Sequence, residues 1–290
     1  MGKGAFLAAL LMMWAAVGAP AAPVVWSQPQ PVRIEGYDGE AMEPFLSRDG
    51  AFLFFNTRND PGVDTDIHVA RRRDDLTFVH LGVVAGTKSS DLDGVPTMAR
   101  DGSFCFISPR DYRQTLNSVF CGRFDGRDVV DVKPQMGLKT ERLGRLIFDV
   151  ELSADGAQLV FAEGTFGGGA APDSAELHLA SRAANGFVRD ADGDLILAKV
   201  NAVDGLKYAA GLSADGLELF FTRLTGFWIF RGLEIMRAER VRVGDAFGAP
   251  VHVPLDGFVE GPTLSGDGHA LYFHKKNADG RFGIWRITRQ

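Results

Sequence analysis

Five positions along the 290-residue chain carry groups able to accept hydrogen bonds or move protons: Glu43, Asp93, Asp149, Tyr208 and Glu260. Four of them are followed, 15 to 17 residues later, by a cation: Arg58, Arg110, Arg223 and Lys275. Paired carboxylates are the groups that cleave glycosidic bonds, one as general acid and one as base or nucleophile. Guanidinium groups grip carboxylates and other planar anions through two parallel hydrogen bonds. The same residue types also neutralise one another, so these positions read either as a ligand-binding ring or as internal ion pairs. A second feature is the loop LTGFWIFRG (224–232), which places Phe227, Trp228, Ile229 and Phe230 where a solvated turn is expected. Such a cluster, with Trp228 and Phe230 foremost, is either a stacking platform or partner surface, or it folds back and buries itself. The Gly-rich stretch 163–172 reads as a flap around Phe166 and lacks the Lys-Ser/Thr ending of a phosphate loop.

Other chemistry is sparse. The six histidines (68, 80, 178, 252, 269 and 274) lie on different segments and read as repeat residues, so no metal site and no cofactor are expected. Asp190–Asp194 (DADGD) lacks the spacing and distal Glu of a calcium loop and reads as a turn. Neither Gly-x-Ser-x-Gly nor His-Glu-x-x-His occurs. With 31 Lys+Arg against 37 Asp+Glu and no basic run, nucleic acid is not an expected partner. Apolar residues at 46% and charged residues at 23% describe a globular chain.

The elements that must carry these groups follow from an internal repeat. The segments EPFLSRDGAFLFF (43–55), GVPTMARDGSFCF (94–106), FDVELSADGAQLVF (148–161), YAAGLSADGLELFF (208–221) and EGPTLSGDGHALYF (260–273) are variants of one phrase. Their turn aspartates, Asp49, Asp101, Asp155, Asp215 and Asp267, recur after 52, 54, 60 and 52 residues. Asp-Gly flanked by alternating apolar residues is a hairpin signal. After each hairpin come a loop, a strand such as DIHVARR (66–72) or EIMRAER (234–240), and a fourth stretch such as FVHLGVV (78–84). Four strands per repeat make one blade, so the fold class is all-β, a five-bladed β-propeller. The blades span about 41–90, 91–144, 145–204, 205–256 and 257–290. The last holds only three strands, so the N-terminal strand 29–35 is expected to complete it, with Pro29 and Pro31 at an edge where no N–H is needed.

LSRDGAFLFFNTR with DIHVA, LSADGLELFFTR with LEIMRA, and LSGDGHALYFHKK with GIWRI resemble the TolB-type propeller repeat, P-x-x-S-x-D-G-x-x-L-x-F followed by an Asp- or Glu-Ile strand. The resemblance covers nearly all of 23–290 and implies the fold. It does not imply TolB's role, since TolB has six blades and an additional N-terminal domain. Two functions remain. The first is a non-enzymatic binding or scaffold module for a protein or envelope component, or for a small polar ligand such as a glycan or peptide at the channel mouth. The alternative is a carbohydrate-active enzyme, glycosidase or lyase; the architecture, though no motif, is similar to five-bladed glycosidases with carboxylates at the start of inner strands.

The two cysteines, Cys105 and Cys121, fall on neighbouring strands of the second repeat and read as a disulfide or as two buried thiols. Residues 1–22 combine Lys3, an apolar run over 5–17 and the small residues Ala19 and Ala21, the pattern of a secretory leader. A periplasmic or secreted protein is expected, with no membrane span after cleavage.

Overall fold

Each repeat folds around a Ser-x-Asp-Gly turn. In blade 1 the Ser47 hydroxyl donates to Asp49 Oδ1 (2.6 Å) and accepts the Phe52 amide (2.9 Å), while Asp49 Oδ1 also accepts the Ala51 amide. Gly50 closes the turn at φ +72°, a conformation that favours glycine. Blades 3, 4 and 5 repeat this arrangement at Ser153, Ser213 and Ser265.

The computed structural model describes residues 24–59, 64–169, 171–226 and 232–290. They form five sheets arranged as the blades of a β-propeller. Blade 1 contains Met42–Leu46, Phe52–Asn56, Ile67–Arg72 and Thr77–Val83; blade 2 contains Gly94–Met98, Ser103–Ile107, Val119–Phe124 and Val129–Pro134. Blade 3 runs Arg145–Leu152, Gln158–Thr165, Ser174–Ala183 and Gly186–Arg189; blade 4 runs Leu206–Leu212, Glu218–Thr225, Gly232–Glu239 and Val251–His252. Blade 5 takes Val259–Leu264, Ala270–Lys276 and Phe282–Thr288 from the C-terminal end and Gln30–Pro31 from the N-terminal end. The leader read at 1–22 lies outside the described residues. Among the described residues no helix is long and apolar enough to cross a membrane.

Ring closure is shared between two blades. Gln30 and Pro31 pair with Arg286 and Trp285, and the Val32 amide donates to the Ile284 carbonyl (2.8 Å). The chain then leaves blade 5: Arg33–Glu35 runs parallel to Thr77–Val83, with Ile34 opposite Phe78. The expected closing strand 29–35 is therefore split, its first half completing blade 5 and its second adding a fifth strand to blade 1. Val32 and Ile34 pack into the apolar cluster between these blades, against Phe55, Phe78, Tyr272 and Ile284.

Apolar residues alternate towards the two neighbouring blades. Leu53 and Phe55 face blade 5, whereas Phe54 faces blade 2. Each buried phenylalanine contributes about 1.5–3 kcal/mol. Extra chain between blades 3 and 4 forms two short helical turns, Gly193–Ile196 and Ala198–Asn201, which accounts for the 60-residue spacing. Asp190 belongs to this turn, its carboxylate accepting from Ser181 Oγ and the Asp192 amide.

Blade 2 departs from the repeat. Ala99 stands where the other blades have the turn serine, and the hairpin closes one residue earlier: Ala99 N bonds Ser103 O, against Ser47 N to Phe52 O in blade 1. A one-residue change reverses which face each side chain takes. Cys105, which counting from the turn aligns with Leu53, therefore sits in register with Phe54 and faces blade 3. That correction explains the disulfide. Leu53 and Val69 face opposite sides of blade 1, but the shifted Cys105 stands directly opposite Cys121 and is bonded to it. The bond closes a 16-residue separation and is expected to contribute about 3 kcal/mol. Denatured, unreduced protein should show no reactive thiol, and reductant should lower the unfolding free energy by about that amount in denaturant titrations.

Candidate functional site

Every first strand bears a bulge at its entry into the sheet. In four blades the bulged residue is left-handed: Glu43 (φ +46°), Val95 (+54°), Ala209 (+49°) and Gly261 (+64°). The turned-out amide of each donates to a side chain of the preceding blade. Glu43 N donates to His274 Nδ1 (3.2 Å), Val95 N to Asn56 Oδ1 (3.0 Å), Ala209 N to Asp149 Oδ2 (2.9 Å) and Gly261 N to Thr222 Oγ1 (3.2 Å). These bulges bring the channel's polar groups together at one mouth, lining a cavity of about 370 Å³.

Glu43, Asp149, Tyr208 and Glu260 all line this cavity. Glu260 accepts from two donors, the Tyr208 hydroxyl on Oε1 and His274 Nε2 on Oε2 (3.1 Å). Because His274 Nδ1 accepts the Glu43 amide, the imidazole proton resides on Nε2 and points at Glu260. His274 thus couples the backbone of one glutamate to the carboxylate of the other. A side chain at Gly261 would sit 2.8 Å from Glu43 Oε2 and 2.9 Å from His274 Nδ1, so only glycine leaves room for that contact.

Burial pushes Glu43 up to about 8, with Asp149 and Glu260 adding to the rise and His274 opposing it. Burial likewise holds Asp149 well above the usual carboxylate range, against the hydrogen bond from Ala209. Burial pulls His274 towards its neutral form, the form in which Nδ1 can accept the Glu43 amide, while the charges of Glu43 and Glu260 pull the other way. Tyr208 is raised by burial and by Glu260. At neutral pH the floor therefore carries a protonated Glu43 beside a Glu260 that receives two donors.

The walls differ in character. On the side of blades 3 and 4 they are Phe148, Phe166, Pro172, Leu224 and Leu233; on the side of blades 5 and 1 they are Arg58, Asn59, Lys276, Phe258 and Phe282. Phe166 packs edge-on against Phe148 (5.4 Å between centroids), and Phe258 against Phe282 (5.4 Å).

Other expected site residues lie elsewhere. Asp93 is fully buried and bonded to Arg110 (2.6 Å), whose guanidinium also lies over Phe106 and Phe120, so these two take the internal-pair reading. Arg223 faces Asp204 and Glu234, each at 3.5 Å, while its neighbour Leu224 lines the cavity. Phe227, Trp228, Ile229 and Phe230 lie outside the described residues. Lys276, not Lys275, reaches the mouth; it stands nine residues after Asp267, as Arg58 does after Asp49. His274, expected as one of six scattered repeat histidines, lies at the site. Its signal was its place seven residues after the turn aspartate, where the other blades carry Asn56, Ser108, Ala162 and Thr222. Among the described residues no group of three or more His, Cys, Asp and Glu side chains is placed to hold a metal ion.

No family model matches the chain, and no curated protein matches it. Solved structures share its fold. One titled a glycoside hydrolase aligns at a TM-score of 0.57 and 11% identity over 89% of this chain and 90% of its own. A family 117 glycoside hydrolase from the marine bacterium Zobellia galactanivorans aligns at 0.57 and 14% identity, over 90% of each chain. A putative glycoside hydrolase from Bacteroides ovatus aligns at 0.54 and 13% identity, over 92% of this chain and 96% of its own.

The raised groups link the site to stability. Glu43 binds its proton more tightly folded than unfolded, so its contribution is present at low pH and lost as pH rises towards 8. His68, lowered to about 4 by burial and by His80, acts oppositely and only below 6.5, where an unfolded histidine takes up its proton. Melting temperature should therefore fall between about pH 6.5 and 8, and Glu43→Gln should flatten that fall in thermal scans.

Proposed function

We propose that this protein is a carbohydrate-active enzyme that cleaves glycosidic bonds at the channel mouth. The observation that carries this reading is the pair Glu43 and Glu260: one carboxyl kept protonated near pH 7, the other gripped by Tyr208 and His274, both facing one cavity. Two carboxyl groups in contrasting environments are what acid and base roles require. Glu43 protonates the leaving glycosidic oxygen as that bond breaks. Glu260, oriented by the hydrogen bonds it accepts, assists water or attacks the sugar carbon directly. Tyr208 and His274 orient it, and the apolar wall at Phe148 and Phe166 offers a face for the C–H surface of a sugar ring. The glycoside hydrolases among the similar structures support this reading through the fold they share.

The binding-module reading drew on Trp228 and Phe230, outside the described residues, and no described observation favours it over catalysis. Export to the periplasm or medium is part of the proposal, supported by the leader pattern at 1–22 and by the Cys105–Cys121 bond, which needs an oxidising compartment. Descent of the blades from the TolB-type unit is likewise proposed, on the Ser-x-Asp-Gly repeat.

Turnover of a glycan panel by the wild-type protein is the direct test. Glu43→Gln and Glu260→Gln should each lower kcat by about 10²-fold or more. The wild-type rate should fall as pH rises through about 8, where Glu43 loses its proton. An unchanged rate in both variants would refute the assignment.

A further inference from the structure

The cavity distributes charge unevenly. Among the described residues the two cations that line it, Arg58 and Lys276, stand on the side of blades 5 and 1, and beyond Asp149 and Tyr208 the opposite side is apolar. Lys276 is exposed at its rim, its ammonium 5.7 Å from the Phe282 ring centroid and its amide bonded to the Phe258 carbonyl (3.1 Å). Arg58 is steadied by Glu40 at 3.6 Å, with a side chain that is 46% exposed. The cations occupy corresponding positions in adjacent blades, nine residues after each turn aspartate, so the closed ring brings them side by side.

We propose, resting on the glycosidase reading, that the substrate is an anionic saccharide whose carboxylate or sulfate lies between Arg58 and Lys276. Its ring stacks on the Phe148 and Phe166 side, with the scissile bond over Glu43 and Glu260. The floor favours the same choice: Glu43, raised to about 8, holds its proton near pH 7 and so does not repel an approaching anion, and burial disfavours the charged form of Asp149. Arg58 supplies the planar fork suited to a carboxylate or sulfate, and Lys276 a point charge.

The test is a binding array of oligogalacturonates, oligoalginates and sulfated galactan fragments, each beside its carboxyl-reduced or desulfated counterpart, probed with full-length Glu43→Gln protein. Anionic members should bind and their neutral counterparts should bind at least tenfold more weakly, with affinity falling as salt rises. Adding Arg58→Gln and Lys276→Met should remove that preference at unchanged melting temperature, and Lys276→Arg should retain it. Equal binding of charged and neutral members overturns the anionic assignment while leaving a saccharide site in place. Absence of binding to every glycan, with no turnover by wild type, overturns the glycosidase reading and this inference together. Turnover of neutral glycans alone overturns only this inference.

Discussion

At the mouth of the ring, four peptide N–H groups are turned out of their sheets by left-handed bulges, and each needs an acceptor in the blade before it. A buried N–H without a partner is costly, so the acceptor position is under tight physical constraint. Asn56, Thr222 and His274 meet it from the end of the second strand. Blade 3 has Ala162 there, which offers no acceptor, and Asp149 takes over from the first strand. The requirement that seals blade to blade thus also places an imidazole and a carboxylate at the channel mouth. In blade 5 the acceptor is bifunctional: by receiving the Glu43 amide on one nitrogen, His274 must present its proton to Glu260 on the other. Site geometry and ring closure are here the same set of hydrogen bonds.

The other end of the channel is held by charge. Arg48 of blade 1 crosses to Glu151 of blade 3 (2.7 Å), with side chains 2% and 4% exposed. The guanidinium also donates to the Leu152 and Leu212 carbonyls, and Glu151 accepts from Thr97 and the Leu212 amide. A buried pair offsets its desolvation only as far as its remaining donors and acceptors are met, and here four blades meet all of them but Arg48 Nε. This plug sets a floor below the three carboxyl groups and separates them from the Asp-Gly turns.

Blade 2 shows how small a change redirects a strand. Replacing the turn serine by Ala99 removes the hydroxyl that bridges the longer turn, and the hairpin tightens by one residue. Phe104 and Phe106 consequently face blade 1, where with Phe124 of their own blade they pack against Phe54, while Cys105 turns to Cys121. The disulfide occupies the place where the other blades pair Phe54 with Val69, Val160 with Leu179, Phe220 with Arg237 and Tyr272 with Arg286.

What the sequence determined by itself was the periodic part: five Asp-Gly turns, alternating apolar strands, four strands per blade and closure by the N-terminal segment. These follow from local turn chemistry and from a two-residue period, both of which act over a few neighbouring residues. The candidate site was only half legible. Glu43, Asp149, Tyr208, Glu260 and Arg58 do line one cavity, but Asp93 and Arg110 are spent on each other, and His274 and Lys276 escaped notice. Bulges and a one-residue turn change decide which way each side chain points, and no alternation rule reports them. Tertiary structure also decided that Ile34 leaves blade 5 for blade 1, and that Glu43 is raised while His274 aims at Glu260. Those outcomes depend on contacts between residues more than 200 positions apart, which exist only after the ring has closed.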